Sequence, residues 1–120
     1  MSHKDAAEFV GVLLHSSTAT HFLHLQTASY AAHKALGHYY ENIVDLADKY
    51  AEAYQGCYKV ISDYPATFPL AKDPKRFFDG LYDYLDAARK MLPKESHLDN
   101  IVDEIAELID STRYKLNNLS

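Results

Sequence analysis

The stretch DYPATFPLAKDPKRFF, residues 63–78, divides the chain in two. It holds Pro65, Pro69 and Pro74, three of only four prolines in the sequence, and none precedes them. Proline inside a helix removes a backbone donor and clashes with the preceding turn. Asp63–Lys72 therefore reads as a connection, and the residues before it are free to be helical. Asp73-Pro74 restarts a helix: an aspartate suited to the N-cap is followed by a proline already set to the first helical φ.

Working outward, helical periodicity accounts for both sides of this break, and no strand pattern competes with it. A first segment is expected over about 5–27, with Val10, Leu13, Leu14, Ser17, His21 and His24 recurring at three- and four-residue steps. A second is expected over about 29–62, its stripe running Leu36, Tyr40, Ile43, Val44, Ala47, Ala51 and Tyr54, with Gly56 marking a bend. The third covers about 74–92 and buries Phe77, Phe78, Leu81, Leu85, Ala88 and Leu92 before Pro93 stops it. The fourth covers about 97–116, with Ser96 and Asp99 as a capping box. There Leu98, Val102, Ile105, Leu108 and Ile109 turn inward, and Asp103, Glu104, Glu107 and Asp110 stay wet. A very short link joins the first two segments, and another the last two, so each pair predicts an antiparallel hairpin. The expected fold is all-α: one antiparallel four-helix bundle over residues 1–120.

Composition excludes several functions. At 120 residues the chain suits one hydrophobic core. Net charge is −5, and Lys4 is the only Lys or Arg before Lys34, so DNA binding, which draws its affinity from cations on phosphates, is not expected. An acidic surface favours metal cations instead. No apolar run approaches the roughly 20 residues of a membrane span. With no signal-like amino terminus and one cysteine, Cys57, the expected setting is the cytosol. No Glu-x-x-His pair, phosphate-binding glycine loop, Gly-x-Ser-x-Gly elbow or Cys-x-x-Cys pair occurs.

The histidines carry the candidate chemistry. Six of seven fall within the first 38 residues: His3, His15, His21, His24, His33 and His38. With a turn near Ala28, His21 and His33 should face one another across the first hairpin. Asp48 and Glu52 sit one turn apart on the second helix and should border its apolar stripe. His33 and Asp48 are roughly 22 Å apart along one helix, at 1.5 Å per residue. They cannot share an ion within a chain. They can do so between two chains packed antiparallel about a two-fold axis, which creates two such sites. A His/carboxylate set with open positions suits Fe(II), with Zn(II) or Mn(II) as substitutes. His24 reads as a hairpin-packing residue, His38 as lying outside the site, His15 and His97 as surface residues, and Cys57 as a passive small one. The ten tyrosines read as core and interface packing.

His21, His33 twelve residues on, Asp48 fifteen further and Glu52 four further have the spacing of the ferroxidase centre of the Dps mini-ferritins, which residues 13–56 of this chain resemble. The chain differs in carrying Phe22 where that family has tryptophan, and Gly37 where it often has a carboxylate. The resemblance implies a homo-oligomer, at least a two-fold dimer and up to a dodecameric cage. It further implies His21 and His33 of one subunit holding iron with Asp48 and Glu52 of its mate, as mono- or di-iron. Fe(II) would be oxidised there by peroxide or oxygen. A second reading is a non-catalytic helical oligomer, acting as a binding or structural protein with a vestigial or structural metal.

Overall fold

A computed structural model describes residues 3–68 and 70–120; Met1, Ser2 and Pro69 lie outside the described residues. Four helices form in the expected order: α1 (His3–Gln26), α2 (Tyr30–Cys57), α3 (Pro74–Arg89) and α4 (Ser96–Asn118). No strand occurs among the described residues.

Each boundary has a local cause. Ser29 caps α2, its hydroxyl accepting from the Ala32 N–H at 3.2 Å. Asp73 caps α3 by accepting from Lys75 N–H at 3.2 Å, with Pro74 in the first turn. The second helix ends at Cys57, five residues before the expected Ser62, so Gly56 belongs to its last turn and marks no bend. The freed residues lengthen the connection to 58–73. The capping box expected at Ser96 does not form: Glu95 holds the N-cap position, and its side chain makes no capping bond. Asp99 is engaged instead by Arg89, which also bonds Asp103 and ties the end of α3 to the start of α4. α3 accordingly stops at Arg89, before the expected residue 92.

The connection 58–73 sets the topology. At the foot of the molecule His3 Nδ1 meets the Tyr54 hydroxyl at 2.6 Å, and Cys57 Sγ meets His97 Nε2 at 3.2 Å. At the tip, Thr27 and Ser29 share a cleft with Pro74 and Leu116. The crossover thus climbs the whole bundle, and the helices run up, down, down, up, a wiring with one long crossover as in ferritin-like bundles. α1 packs on α2, α2 on α4 and α4 on α3, whereas α1 and α3 barely meet. The crossover lies against α1 at Gly11, where a Cβ would stand 3.0 Å from Phe68 Cζ and 3.3 Å from Pro65 Cδ.

The core follows the expected stripes on α3 and α4, with Phe78, Leu81, Leu85, Leu98, Val102, Ile105, Leu108 and Ile109 all buried. On α1 the buried face is rotated from the expected one and comprises Phe9, Val10, Leu13, Ser16, Thr20 and Leu23. Leu14 and His21 are exposed. The α2 core is Leu36, Tyr39, Ile43, Ala47, Tyr50 and Tyr54, while Tyr40, Val44 and Ala51 are half-buried on the side facing α1. Two helices that neighbour each other share small and polar residues along their line of contact, and this widens the apparent stripe beyond the core face. Tyr39 joins the two halves: its hydroxyl bonds Ser16 Oγ at 2.8 Å and its ring meets Phe78 edge-on at 4.7 Å.

Candidate histidine and carboxylate site on the first hairpin

The α1–α2 hairpin closes at its tip through a reciprocal histidine clasp. His24 Nδ1 lies 2.8 Å from the His33 carbonyl, and His33 Nδ1 lies 3.0 Å from the His24 carbonyl. A carbonyl only accepts, so both rings carry their proton on Nδ1 and donate it. In the neutral rings each Nε2 keeps its lone pair. The rings stack with centroids 3.7 Å apart and 21° between planes. Gly37 makes room for them: a Cβ there would approach His24 Cε1 to 3.2 Å.

This arrangement departs from the expected pairing of His21 with His33. His33 stacks on His24, while His21 lies flat on Tyr40 at 4.1 Å and stands 6.1 Å from His24. The cause is the register of the hairpin. Ser17 Oγ donates to the Tyr40 carbonyl at 3.0 Å, and this register continues to His24 opposite His33. His21 falls one turn short, over the next ring on α2. A cleft of about 350 Å³ opens beside the clasp, lined by His24, His33, Lys34, Gly37, His38 and Glu41.

Asp48 and Glu52 are both exposed and do not border the buried stripe. Glu52 follows His33 by nineteen residues, about 100° round the helix, and this carries it off the α1 side. Neither carboxylate forms an ion pair among the described residues, and Lys49 between them is taken by Glu104 at 3.0 Å. Among the described residues of one chain, no three His, Cys, Asp or Glu side chains group closely enough to hold a metal. The site imagined from the sequence therefore has its two halves at different places on one hairpin, imidazoles at the tip and carboxylates further down α2.

Three residues read as bland have partners. His15 is half-buried and stacks on Phe68 at 4.8 Å. Exposed Cys57 and His97 pair at the foot, beside Tyr58, whose hydroxyl bonds Glu95.

No described helix is long and apolar enough to cross a membrane. A protein of Enterobacteria phage T4, described as an uncharacterized 14.6 kDa protein in the mobD–ri intergenic region, is 28% identical over 114 residues, covering 93% of this chain and 88% of the phage protein. No solved structure matches the chain. The family match lies elsewhere than the mini-ferritins, and this corrects the resemblance drawn from His21, His33, Asp48 and Glu52. Helical hairpins place residues at twelve-, fifteen- and four-residue intervals for packing reasons alone, so a four-residue spacing recurs without common descent. The matching family is the family of unknown function DUF5856, which covers residues 24–116, from the clasp to the last turn of α4, and the chain belongs to it.

Proposed function

We propose that the protein is a homo-oligomer that binds a divalent transition metal, Fe(II) or in its place Zn(II) or Mn(II), at a site shared between two subunits. One observation carries the reading: the first hairpin bears imidazoles at its tip and, further down α2, the exposed carboxylates Asp48 and Glu52, which form no ion pair among the described residues, Asp48 standing roughly 22 Å from His33. Two copies packed antiparallel about a two-fold axis would bring the imidazoles of each against the carboxylates of the other, so each site would draw its ligands from both subunits. Leu14, Phe22 and Leu25, exposed to 38%, 47% and 67%, run along α1 beside it and supply apolar surface for such a contact.

Within the site, His33 is the best-prepared ligand. Its Nδ1–H is held by a backbone carbonyl, the usual support of a metal-bound imidazole, which leaves Nε2 as the donor atom. Two rings stacked at 3.7 Å cannot aim both lone pairs at one ion, so His24 serves as the support and exposed His21 as the second donor. Asp48 and Glu52 of the mate complete a mixed set that leaves positions open, where bound Fe(II) can meet peroxide or oxygen.

The test is an anaerobic Fe(II) titration followed by calorimetry, with Asp48→Ala/Glu52→Ala and His21→Ala/His33→Ala variants alongside. Saturable binding in the wild type, weakened at least tenfold in both variants with the fold retained by circular dichroism, supports the reading. Equal affinity in all three contradicts it. The second reading, an oligomer that binds through the same face without metal, draws on the clasp itself, which already gives His24 and His33 a structural task. It predicts a dimer by sedimentation whose stability is indifferent to chelator.

A further inference from the structure

The gap between α1 and α3 contains a second site unrelated to the histidine face. A predominantly apolar cleft of about 360 Å³ opens there, within the range of roughly 300–1,000 Å³ typical of small-molecule sites. Its floor is core: Val12, Phe77 and Leu81. Phe68 of the crossover forms one wall, braced by stacking on His15. Tyr84 forms another, and its hydroxyl is engaged by Glu8, so the ring is what it offers.

Two residues at the mouth point to an occupant. Gly80 lies in the middle of α3, where glycine destabilises a helix relative to alanine. Nothing among the described residues requires it: a Cβ at Gly80 would meet none of their atoms within 4 Å, unlike one at Gly11 or Gly37. The missing side chain therefore leaves the cleft open and relieves no contact. Arg76, one turn earlier on the same helix, also lines the cleft and is exposed, and it makes no ion pair among the described residues. We propose that this cleft binds a small anionic amphiphile, its apolar body lying on Val12, Phe77 and Leu81 past Gly80, and its carboxylate pairing with Arg76. A charge-assisted, bidentate contact is the strongest that guanidinium can make with such a head group.

The probe is octanoate, titrated below its aggregation range into the full-length protein and followed by NMR shifts, with octylammonium as the opposite-charge control. Three variants accompany it: Gly80→Leu fills the cleft, Gly80→Ala adds a methyl to open space, and Arg76→Gln removes the charge. The proposal expects saturable one-to-one octanoate binding that shifts Phe68, Phe77 and Leu81. It expects at least tenfold weakening in Gly80→Leu with no loss in melting temperature, near-wild-type binding in Gly80→Ala, and about tenfold weakening in Arg76→Gln. Octylammonium should bind more weakly than octanoate, and Arg76→Gln should erase that difference. Absence of saturation, equal affinity for the two head groups, indifference to Gly80→Leu, or shifts at Leu14, Phe22 and Leu25 instead would each overturn it. None of these outcomes depends on metal binding at the hairpin face.

Discussion

The two flanks of α1 are built differently. Towards α2 it is fastened along its whole length by side chains: His3 to Tyr54, Ser16 to Tyr39, Ser17 to the Tyr40 carbonyl, and His24 with His33. Towards α3 it is held off by a crossover that contributes Pro65 and Phe68 as a wedge. The fastened flank fixes a rigid face, the one on which the proposed site would draw ligands from two subunits. The wedged flank leaves the space in which a small molecule can lie. One helix thus separates a place for geometry from a place for volume.

The largest effect should come where both flanks share the core. Phe78→Ala removes the ring that crosses to Tyr39, and a loss of about 3–5 kcal/mol is expected in urea unfolding. Phe68→Ala, on the half-buried wedge, should cost only about 1–2 kcal/mol; equal losses would mean that the crossover is as much a part of the core as α3. Next in size, His24→Ala strips one bond of the clasp and the ring stacked on His33, a loss of about 1–2 kcal/mol. Amide exchange over residues 27–30 should speed up, with the foot of the hairpin unaffected.

A pair of glycines sharpens the contrast further. Gly80→Ala should stabilise by about 0.5–1 kcal/mol, because its Cβ enters open space in mid-helix. Gly11→Ala should gain less or lose, because Phe68 and Pro65 must move; melting curves that rank them the other way would contradict the wedge.

The smallest effect lies at the foot. The bond from the Tyr58 hydroxyl holds the Glu95 carboxyl below its ordinary range, and Glu95 in turn pushes Tyr58 up to about 12. The lowered carboxyl contributes stability at neutral pH that fades as pH falls through its folded-state value. The raised phenol contributes stability below its ordinary 10.0 that is lost as pH rises through about 12. Tyr58→Phe should return Glu95 to the usual carboxylate range in an NMR titration.

Much of this architecture is legible in the residues. Asp73-Pro74 states its helix start outright, and the α4 stripe from Leu98 to Ile109 matches the core because α4 has one apolar face and a charged opposite one. The α1 face is misread by part of a turn because Leu14, Ser17 and His21 repeat with helical period yet lie in the outer groove; period gives a stripe, and only the neighbouring helix decides which side of it is buried. The partner of His33 depends on hairpin register. A one-turn shift exchanges His21 for His24, and nothing local in the sequence sets that shift. Asp48 and Glu52 are legible as neighbours on one helix face but not as buried, since exposure depends on what packs beside them.

The most direct test of the shared site is complementation between subunits. His21→Ala/His33→Ala chains and Asp48→Ala/Glu52→Ala chains, each silent alone, are unfolded together, refolded as an equal mixture and titrated with Fe(II) under anaerobic conditions. Random pairing about a two-fold axis regenerates one intact site in each mixed dimer, so about a quarter of the wild-type capacity should return. Binding that stays absent in the mixture would contradict a site built from two subunits.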